Sequence, residues 1–327
     1  MPAILNYGIA FPSLRLAATA YRDAWGSCSA RGLRRKAFCA FDEDPLTLAI
    51  AAGKAALKDR RDAAAGVGAI FVGTTTWPYE EKPASASIVT ALLGRDDVRC
   101  VEIRGSRQAG LQALCAAAEF VASHPGCLAL AIAADAPFAA PDKPFEHALG
   151  AGAAAFLIGE EAGVAFIEGE SAVTVETFGS RFRALGAIGI QDLELRVDDD
   201  QKAMVALSKR YRPETPDFLA LGVAGDVSDR AAMLFGGAPD GLWPELGDAG
   251  AAASLLALAH CLDQAKAGQR VLALAAGGGA SAVLVSATRA QAEKPTVSPQ
   301  LKAGEEVGYL AYLKHKRILS SQRSAAQ

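Results

Sequence analysis

The stretch EIRGSRQAGLQAL, from Glu102 to Leu114, leads into a helix that is apolar nearly all round and is therefore predicted to be buried. Two candidate nucleophiles lie beside it, Ser106 and Cys115. A serine hydroxyl needs an adjacent base, and no histidine is placed to serve Ser106, so a capping or turn role is favoured. Cys115 lies about two helical turns beyond the start of the helix. We interpret it as a buried structural thiol.

The other residues that carry chemistry are scattered. The six cysteines contain no CxxC pair, and the four histidines lack metal-ligand spacing, so we predict no metal site. His124, His147 and His260 lie near element ends or in helices, which favours surface or hydrogen-bonded roles. The run GGGAS lacks the spacing and the lysine of a phosphate-binding loop, so a tight turn between strands is favoured.

Length and composition set the class of protein. The chain has 327 residues, of which 51% are hydrophobic, enough for two domains or one duplicated domain. A net charge of −3 without a long basic run argues against nucleic acid as a partner. The N-terminus lacks the pattern of a signal peptide, and every long apolar stretch is interrupted by charge or glycine. We therefore expect a cytoplasmic protein with reduced thiols and no membrane segment.

The helices and strands predicted to position these residues occur in the same order twice along the chain. AILNYGIAFP reads as a strand, and Asp44 and Pro45 open a helix as N-cap and first helical residue. Gly53 on the buried face of that helix predicts a close approach to a neighbour, and Gly94 ends the next helix. Fully apolar strands predict a sheet covered on both faces. The order strand, helix, buried helix, strand, strand recurs, so we predict halves at 1–167 and 168–290 and a C-terminal arm at 291–327.

A duplicated α/β unit with two central helices of small residues resembles the thiolase fold. Several stretches resemble its 3-hydroxy-3-methylglutaryl-CoA synthase and ketoacyl synthase III branch, and the tail resembles archaeal-type members. These stretches are GIAFPSLRL, AFDEDPLTLAIAAGKAAL, VGTTTWPYEEKPASASIVTALLG, GAGAAAFLIGE, GDAGAAASLLALAHCLDQAKAGQRVLALAAGGGAS and VGYLAYLKHKRIL. The resemblance implies two βαβαβαββ units in a five-layer αβαβα sandwich.

The positions that carry catalysis in that family are changed here. Its nucleophilic cysteine falls on Arg107, whose guanidinium stays protonated and cannot attack a thioester. Its glutamate acid/base falls on Thr75, which cannot do that work near neutral pH. Its histidine falls on Gly222 and its asparagine on Asp248. We therefore predict that the usual machinery is lost.

Three functions follow from this resemblance. The first is a non-catalytic subunit of a heteromeric acyl-CoA-dependent condensing enzyme or acyltransferase, paired with a catalytically intact thiolase-fold homologue and, as in archaeal-type relatives, with a small zinc-ribbon/OB-fold subunit. The second is an active condensing or C–C cleaving enzyme that uses Arg107. The third is an acyl-CoA-binding regulatory protein. No covalently bound cofactor is expected, and a coenzyme A thioester is the expected substrate of the complex. Its phosphates would meet the basic loop at Arg31, Arg34, Arg35 and Lys36, for which a solvated loop is the alternative.

Two expectations concern geometry. A buried arginine needs a partner, and the helix N-terminus adds an unfavourable dipole. We therefore predict that Arg107 folds into the former active site, pairs with Asp248 and seals the pocket, with room left by the absent side chain at Gly222. The strand CLALAIAADA and the segment after Thr75 are expected to form a dimer contact, because this region does so in the family.

Overall fold

The computed structural model describes residues 1–58, 61–176, 181–192, 199–223, 225–288 and 296–319. The strands are β1 (Ala3–Ala10), β2 (Leu14–Ala17), β3 (Arg35–Phe38), β4 (Val67–Gly73), β5 (Arg99–Ile103), β6 (Leu128–Asp135), β7 (Gly152–Gly159), β8 (Ala165–Thr174), β9 (Phe218–Ala220), β10 (Ala238–Pro239), β11 (Arg270–Ala276), β12 (Gly279–Ala287) and β13 (Glu305–Glu306). The helices are α1 (Ala18–Trp25), α2 (Pro45–Leu57), α3 (Ser85–Leu93), α4 (Ala109–Ser123), α5 (Asp199–Arg210), α6 (Gly225–Phe235), α7 (Trp243–Leu246), α8 (Ala253–Gln264), α9 (Val297–Lys302) and α10 (Tyr309–His315).

The strand order shows an internal duplication. The larger sheet runs β10-β9-β11-β12-β8-β1-β7-β6-β4-β5, and the smaller one runs β13-β2-β3. Outward from the middle of the larger sheet, each half places its first, fifth, fourth, second and third strand in that order. The two halves meet where β1 pairs with β8, at Ala3 with Phe166 and at Ile4 with Ala165. The duplicated α/β arrangement predicted from the sequence is confirmed, and the predicted boundary at residue 167 falls inside β8.

Helices and strands alternate in five layers. Helix α2 packs on β1, β6 and β7, and α3 lies beside it. Helices α4 and α8 lie between the two halves of the sheet, where α4 contacts β4, β6 and β12 and α8 contacts β9 and β11. Helix α5 covers the far face of β8, β11 and β12, and α6 packs against α5 and β10. The largest apolar cluster is built around α4 and α8, so the core lies between the halves.

Local sequence signals fix the ends of several helices. Asp44 accepts the backbone N–H of Thr47 at 2.7 Å, which confirms the predicted N-cap of α2. Gly94 ends α3 in the left-handed region at φ 64°, where glycine is favoured. A Cβ on Gly53 would lie 2.6 Å from Leu92 Cδ1, so the predicted close approach is the contact between α2 and α3.

Two expectations change in the structure. Strand β6 lies between β4 and β7 with nearly every residue buried, so it cannot supply a dimer contact, and the expectation for CLALAIAADA is wrong. The arm is ordered over 296–319, with Tyr312 buried in a cluster beside Leu16 and Tyr21. Residues 291–295 and 320–327 of the predicted arm lie outside the described residues. No helix in the described part of the chain is both long enough and apolar enough to cross a bilayer.

Candidate functional site

The four positions at which the sequence predicts lost catalytic residues converge where α4 and α8 begin. The two central helices approach so closely there that a Cβ on Gly110 would lie 2.1 Å from the carbonyl oxygen of Ala251. Arg107 stands just before α4, and Asp248 stands just before the 3-10 turn Gly250–Ala252 that leads into α8. Thr75 follows β4 and Gly222 follows β9, so the ends of two strands meet the starts of two helices.

Arg107 is held by two carboxylates. Its Nη2 donates a hydrogen bond to Asp200 Oδ2, and its Nη1 lies 3.9 Å from Asp248 Oδ2. Burial by itself would lower the pKa of Arg107, but the charges of Asp200 and Asp248 outweigh it and the pKa is raised. The predicted pair of Arg107 with Asp248 is therefore corrected. The two form an ion pair beyond hydrogen-bond distance, and the hydrogen-bond partner is Asp200 of α5, which the sequence reading did not consider.

Asp248 has its own hydrogen-bond partners. It accepts from Arg181 Nη1 at 2.5 Å and from the backbone N–H of Gly250 at 2.8 Å. Burial works to raise the pKa of Asp248, but Arg181 and Arg107 lower it below its usual value. Arg181 Nη2 is buried without a hydrogen-bond partner among the described residues. The site is thus a chain of alternating charges, Asp200, Arg107, Asp248 and Arg181, which can hold an anion but offers no nucleophile.

Thr75 serves a buried carboxylate. Its Oγ1 donates to Asp135 Oδ2 at 2.7 Å, and the hydroxyl of Thr76 donates to Asp135 Oδ1. The backbone N–H of Ala251 also donates to Asp135, at 2.8 Å. Burial raises the pKa of Asp135 even though these donors oppose the shift. Asp135 is fully buried. Because it accepts the backbone N–H of Ala251, it links the end of β6 to the turn that leads into α8.

Gly222 leaves no vacancy for a long side chain. Its φ is +65°, and a Cβ there would lie 2.5 Å from the carbonyl oxygen of Ala253. Asp240 holds this turn by accepting the backbone N–H groups of Leu221 at 2.9 Å and Gly222 at 3.0 Å. The expectation that the absent side chain leaves room for Arg107 is therefore wrong, because the backbone of α8 fills that space.

A cavity of about 200 Å³ opens beside the charged chain, so the pocket is not sealed as predicted. It lies between α5, α6 and α8, and its exposed rim includes Leu234. The Oγ of Ser254 is buried in its wall and has no hydrogen-bond partner among the residues that the structure describes. The lining includes Arg107, Asp200, Val227, Leu234, Asp248 and Ser254. No cysteine or histidine is among the described residues that line it.

The other candidate nucleophiles have structural roles. The Oγ of Ser106 accepts the backbone N–H of Gln108 at 3.2 Å, which is the turn role that the sequence favoured. Cys115 is partly buried in the wall of the main core. Burial, with Glu170 adding to it, raises the pKa of Cys115 well above the ordinary value for a thiol. A thiol of this kind is not an activated nucleophile.

The basic loop divides into a buried part and an exposed part. Lys36 is fully buried, and its Nζ bonds the carboxylate of Glu146 at 3.0 Å, so its predicted contact with coenzyme A phosphates is wrong in this structure. Arg34 and Arg35 both donate to Glu245, at 2.7 and 2.5 Å. Arg31 is exposed. For these three arginines the phosphate contact stays a prediction.

Sequence reading missed Asp200, Arg181, Asp135 and Ser254. Asp200 opens α5, a helix that the apolar spacing of Ala203, Met204 and Leu207 would have revealed. Nothing in the spacing of Arg181 or Ser254 singles them out. No group of three or more metal-ligating side chains lies close together in the described ranges.

Comparison with known proteins gives one consistent likeness. No family model matches the chain. The hydroxymethylglutaryl-CoA synthase of Pyrococcus furiosus is 27% identical over 345 residues, which cover 96% of this chain and 95% of the relative. Among solved structures, MvaS in complex with 3-hydroxy-3-methylglutaryl coenzyme A has a TM-score of 0.78 at 19% identity, over 97% of this chain and 91% of that chain. A hydroxymethylglutaryl-CoA synthase complexed with coenzyme A has a TM-score of 0.80 at 16% identity, over 96% and 90%. These likenesses confirm the predicted fold class.

Proposed function

We propose that this chain, which is similar to hydroxymethylglutaryl-CoA synthases in sequence and in fold, binds a coenzyme A thioester without becoming acylated, as the non-catalytic subunit of a heteromeric condensing complex. The observation that carries the proposal is Arg107 at the start of α4, bound to Asp200 and 3.9 Å from Asp248. A protonated guanidinium cannot attack a thioester, and no cysteine or histidine is among the described residues that line the cavity beside it.

A thioester ligand is supported by the shape and lining of the cavity. Its wall is largely apolar, with few polar groups at fixed points, which is typical of a site for a slender organic chain. Two of the structural relatives are complexes with coenzyme A or its hydroxymethylglutaryl thioester. The cavity lies at the same end of the central helices as the changed positions, so a bound acyl group would reach Arg107.

The heteromeric part of the proposal follows from what this chain lacks. It aligns with nearly the full length of its relatives, so the scaffold is retained although the residues predicted for catalysis differ. A chain that keeps the scaffold but has a site that cannot be acylated is suited to stabilising a catalytic subunit in a complex. The partner would be a thiolase-fold homologue with an intact cysteine, and a small zinc-ribbon/OB-fold protein is a further proposed subunit.

A second function is favoured by the open cavity. Arg107 keeps 24% of its side-chain surface exposed and lines the cavity. A guanidinium in that place could stabilise an enolate in a condensing or C–C cleaving enzyme that forms no acyl-enzyme. A regulatory acyl-CoA-binding protein is the third candidate, and it would need neither turnover nor a catalytic partner.

The test combines co-purification with intact-protein mass spectrometry. The chain is expressed from its native operon, and its co-purifying proteins are identified. The pure chain and the complex are then incubated with acetyl-CoA. We expect no added mass on this chain, with or without a Cys115→Ser change, and an acetyl group on a cysteine of the partner. An acetyl group on Cys115 or Ser106, or turnover by the pure chain, would contradict the proposal. Binding of the thioester by a chain that co-purifies with no homologue would favour the regulatory function.

A further inference from the structure

The wall of the cavity between α5, α6 and α8 carries both signs of charge in equal number. Two arginines and two aspartates line it, namely Arg107, Arg230, Asp200 and Asp248. Their formal charges cancel, so a ligand that is only an anion or only a cation would bring a charge that the wall does not balance. A ligand that carries one positive and one negative group keeps the balance. The lining therefore favours a zwitterion.

Two of these four side chains are held by other parts of the protein. Asp248 accepts a hydrogen bond from Arg181 at 2.5 Å. Arg230 donates to the side-chain oxygen of Gln201 at 3.2 Å and to the carbonyl oxygen of Asp226 at 3.2 Å. These contacts fix Asp248 and Arg230 in the wall, and the contact with Gln201 joins α5 to α6 beside the cavity.

The other two side chains form an ion pair that faces the cavity. Arg107 and Asp200 keep 24% and 29% of their side-chain surface exposed. Within the described ranges, the guanidinium makes one hydrogen bond, to Asp200 Oδ2, and its Nη1 lies 3.9 Å from Asp248. Arg107 therefore keeps N–H donors for a carboxylate, and the second oxygen of Asp200 can accept from an ammonium group.

A buried hydroxyl points to a ligand in the same cavity. Ser254 is only 3% exposed, and its Oγ has no hydrogen-bond partner in the described part of the chain. A buried hydroxyl without a partner costs free energy that a bound polar group would recover. Ser254 is thus an observation independent of the charged pair, and it indicates that a polar atom belongs in the cavity.

We propose that the cavity binds a free α-amino acid with an apolar side chain. The carboxylate of the ligand bonds Arg107, its ammonium group bonds Asp200, and Ser254 Oγ donates to a ligand oxygen. The ion pair of Arg107 with Asp200 stays in place and gains one contact of each sign, so no protein charge is left without a partner. The inference goes beyond the proposed function, because such a ligand needs no coenzyme A.

The size and the remaining lining of the cavity agree with this ligand. Its volume of about 200 Å³ exceeds the volume of about 150 Å³ that suffices for a benzene-sized ligand. Apolar side chains, among them Val227 and Leu234, form most of the lining beyond the charged pair. A branched aliphatic side chain would therefore fit beside the charged groups, as in other small-molecule sites that combine an apolar wall with a few polar groups.

The test compares three ligands with the same aliphatic chain. These are L-leucine, 4-methylpentanoate, which lacks the amino group, and 3-methylbutylamine, which lacks the carboxylate. Binding is measured by isothermal titration calorimetry on the full chain with any protein that co-purifies. We expect leucine to bind at least about tenfold more tightly than either analogue, from the strength of a charge-assisted hydrogen bond. Equal binding of the three ligands, or no binding of leucine, would overturn the inference.

Two variants assign each charged group of the ligand to its partner. Arg107→Gln should abolish the advantage of leucine over 3-methylbutylamine and keep its advantage over 4-methylpentanoate. Asp200→Asn should do the reverse. Arg95→Gln and Asp97→Asn are matched controls, because this ion pair does not line the cavity, and both should keep both advantages. A merely structural role of Arg107 and Asp200 would weaken all three ligands alike, and that result would also overturn the inference.

A third variant tests the hydroxyl. Ser254→Ala should weaken leucine several-fold without lowering the melting temperature, since the hydroxyl has no partner to lose among the described residues. Unchanged leucine binding would remove Ser254 from the site and contradict the inference. Binding of acetyl-CoA is measured separately on the same protein, so a failure with leucine leaves the proposed function standing, and a failure with acetyl-CoA alone leaves this inference standing.

Discussion

Removing the carboxylate of Asp248 should destabilise the protein strongly. Asp248→Ala breaks the 2.5 Å hydrogen bond from Arg181 and the 2.8 Å bond from the backbone of Gly250, and it weakens the hold on Arg107. Both bonds are made to the charged carboxylate, and a hydrogen bond to a charged group is worth about 1.5–3 kcal/mol. Only 15% of the Asp248 side chain is exposed, so solvent replaces little of this. We expect the free energy of unfolding to fall by about 3–4 kcal/mol.

Urea unfolding followed by tryptophan fluorescence at pH 7 measures this loss, and two variants serve as controls. Asp248→Asn keeps an acceptor for the Gly250 N–H and loses the charge, so it should cost less than alanine by about 1 kcal/mol. Glu214→Ala removes one partner of Arg270, and because the side chain of Glu214 is 74% exposed it should cost about 1 kcal/mol or less. A loss below about 1 kcal/mol for Asp248→Ala would refute the argument that the alternating charges hold the starts of α4 and α8 together.

Three further outcomes are expected. Lys36→Met should cost about 3–5 kcal/mol at pH 7, because it leaves Glu146 charged and buried. Lys36 and two tyrosine hydroxyls hold the pKa of Glu146 below its usual value against burial, so without Lys36 that pKa rises and the gap to wild type should narrow as urea unfolding is repeated from pH 7 down to pH 4. Gly222→His should lower the melting temperature and fail to restore acylation, because φ is +65° and the Cβ would strike Ala253. Cys115 should resist maleimide at pH 7.5 in the native protein and react in urea, as mass spectrometry of its peptide will show, because burial raises its pKa.

The sequence predicts the fold well because its signals are local and repeated. Capping at Asp44, the glycine stops, and runs of small apolar residues each specify an element, and their order specifies the duplication. The loss of the cysteine at Arg107 can be predicted from the distance in sequence between that residue and the helix that follows it. These inferences depend on residues that are close in the chain.

The partners of Arg107 and Asp248 could not be predicted from local sequence patterns, because they are residues that are distant in the chain. Asp200 lies 93 positions from Arg107, and Arg181 lies 67 from Asp248. No periodicity in the sequence relates such pairs. The sequence therefore predicts Asp248 as the hydrogen-bond partner of Arg107, whereas in the structure that partner is Asp200. The misplaced Lys36 has the same origin. A run of basic residues predicts a solvated loop, but β3 is buried from Lys36 to Phe38, and Lys36 donates to Glu146 inside the protein.

The position of α5 is coupled to the change at Arg107. The dipole of α4 disfavours a positive side chain at the start of that helix. Asp248 lies 3.9 Å from Arg107 and makes its short bond to Arg181, so it compensates the charge of Arg107 only in part. Asp200 supplies the missing contact, and it does so from the first turn of α5, on the far side of the cavity. Arg107, at the position where the sequence predicts a lost nucleophile, therefore also ties an outer helix to the central ones.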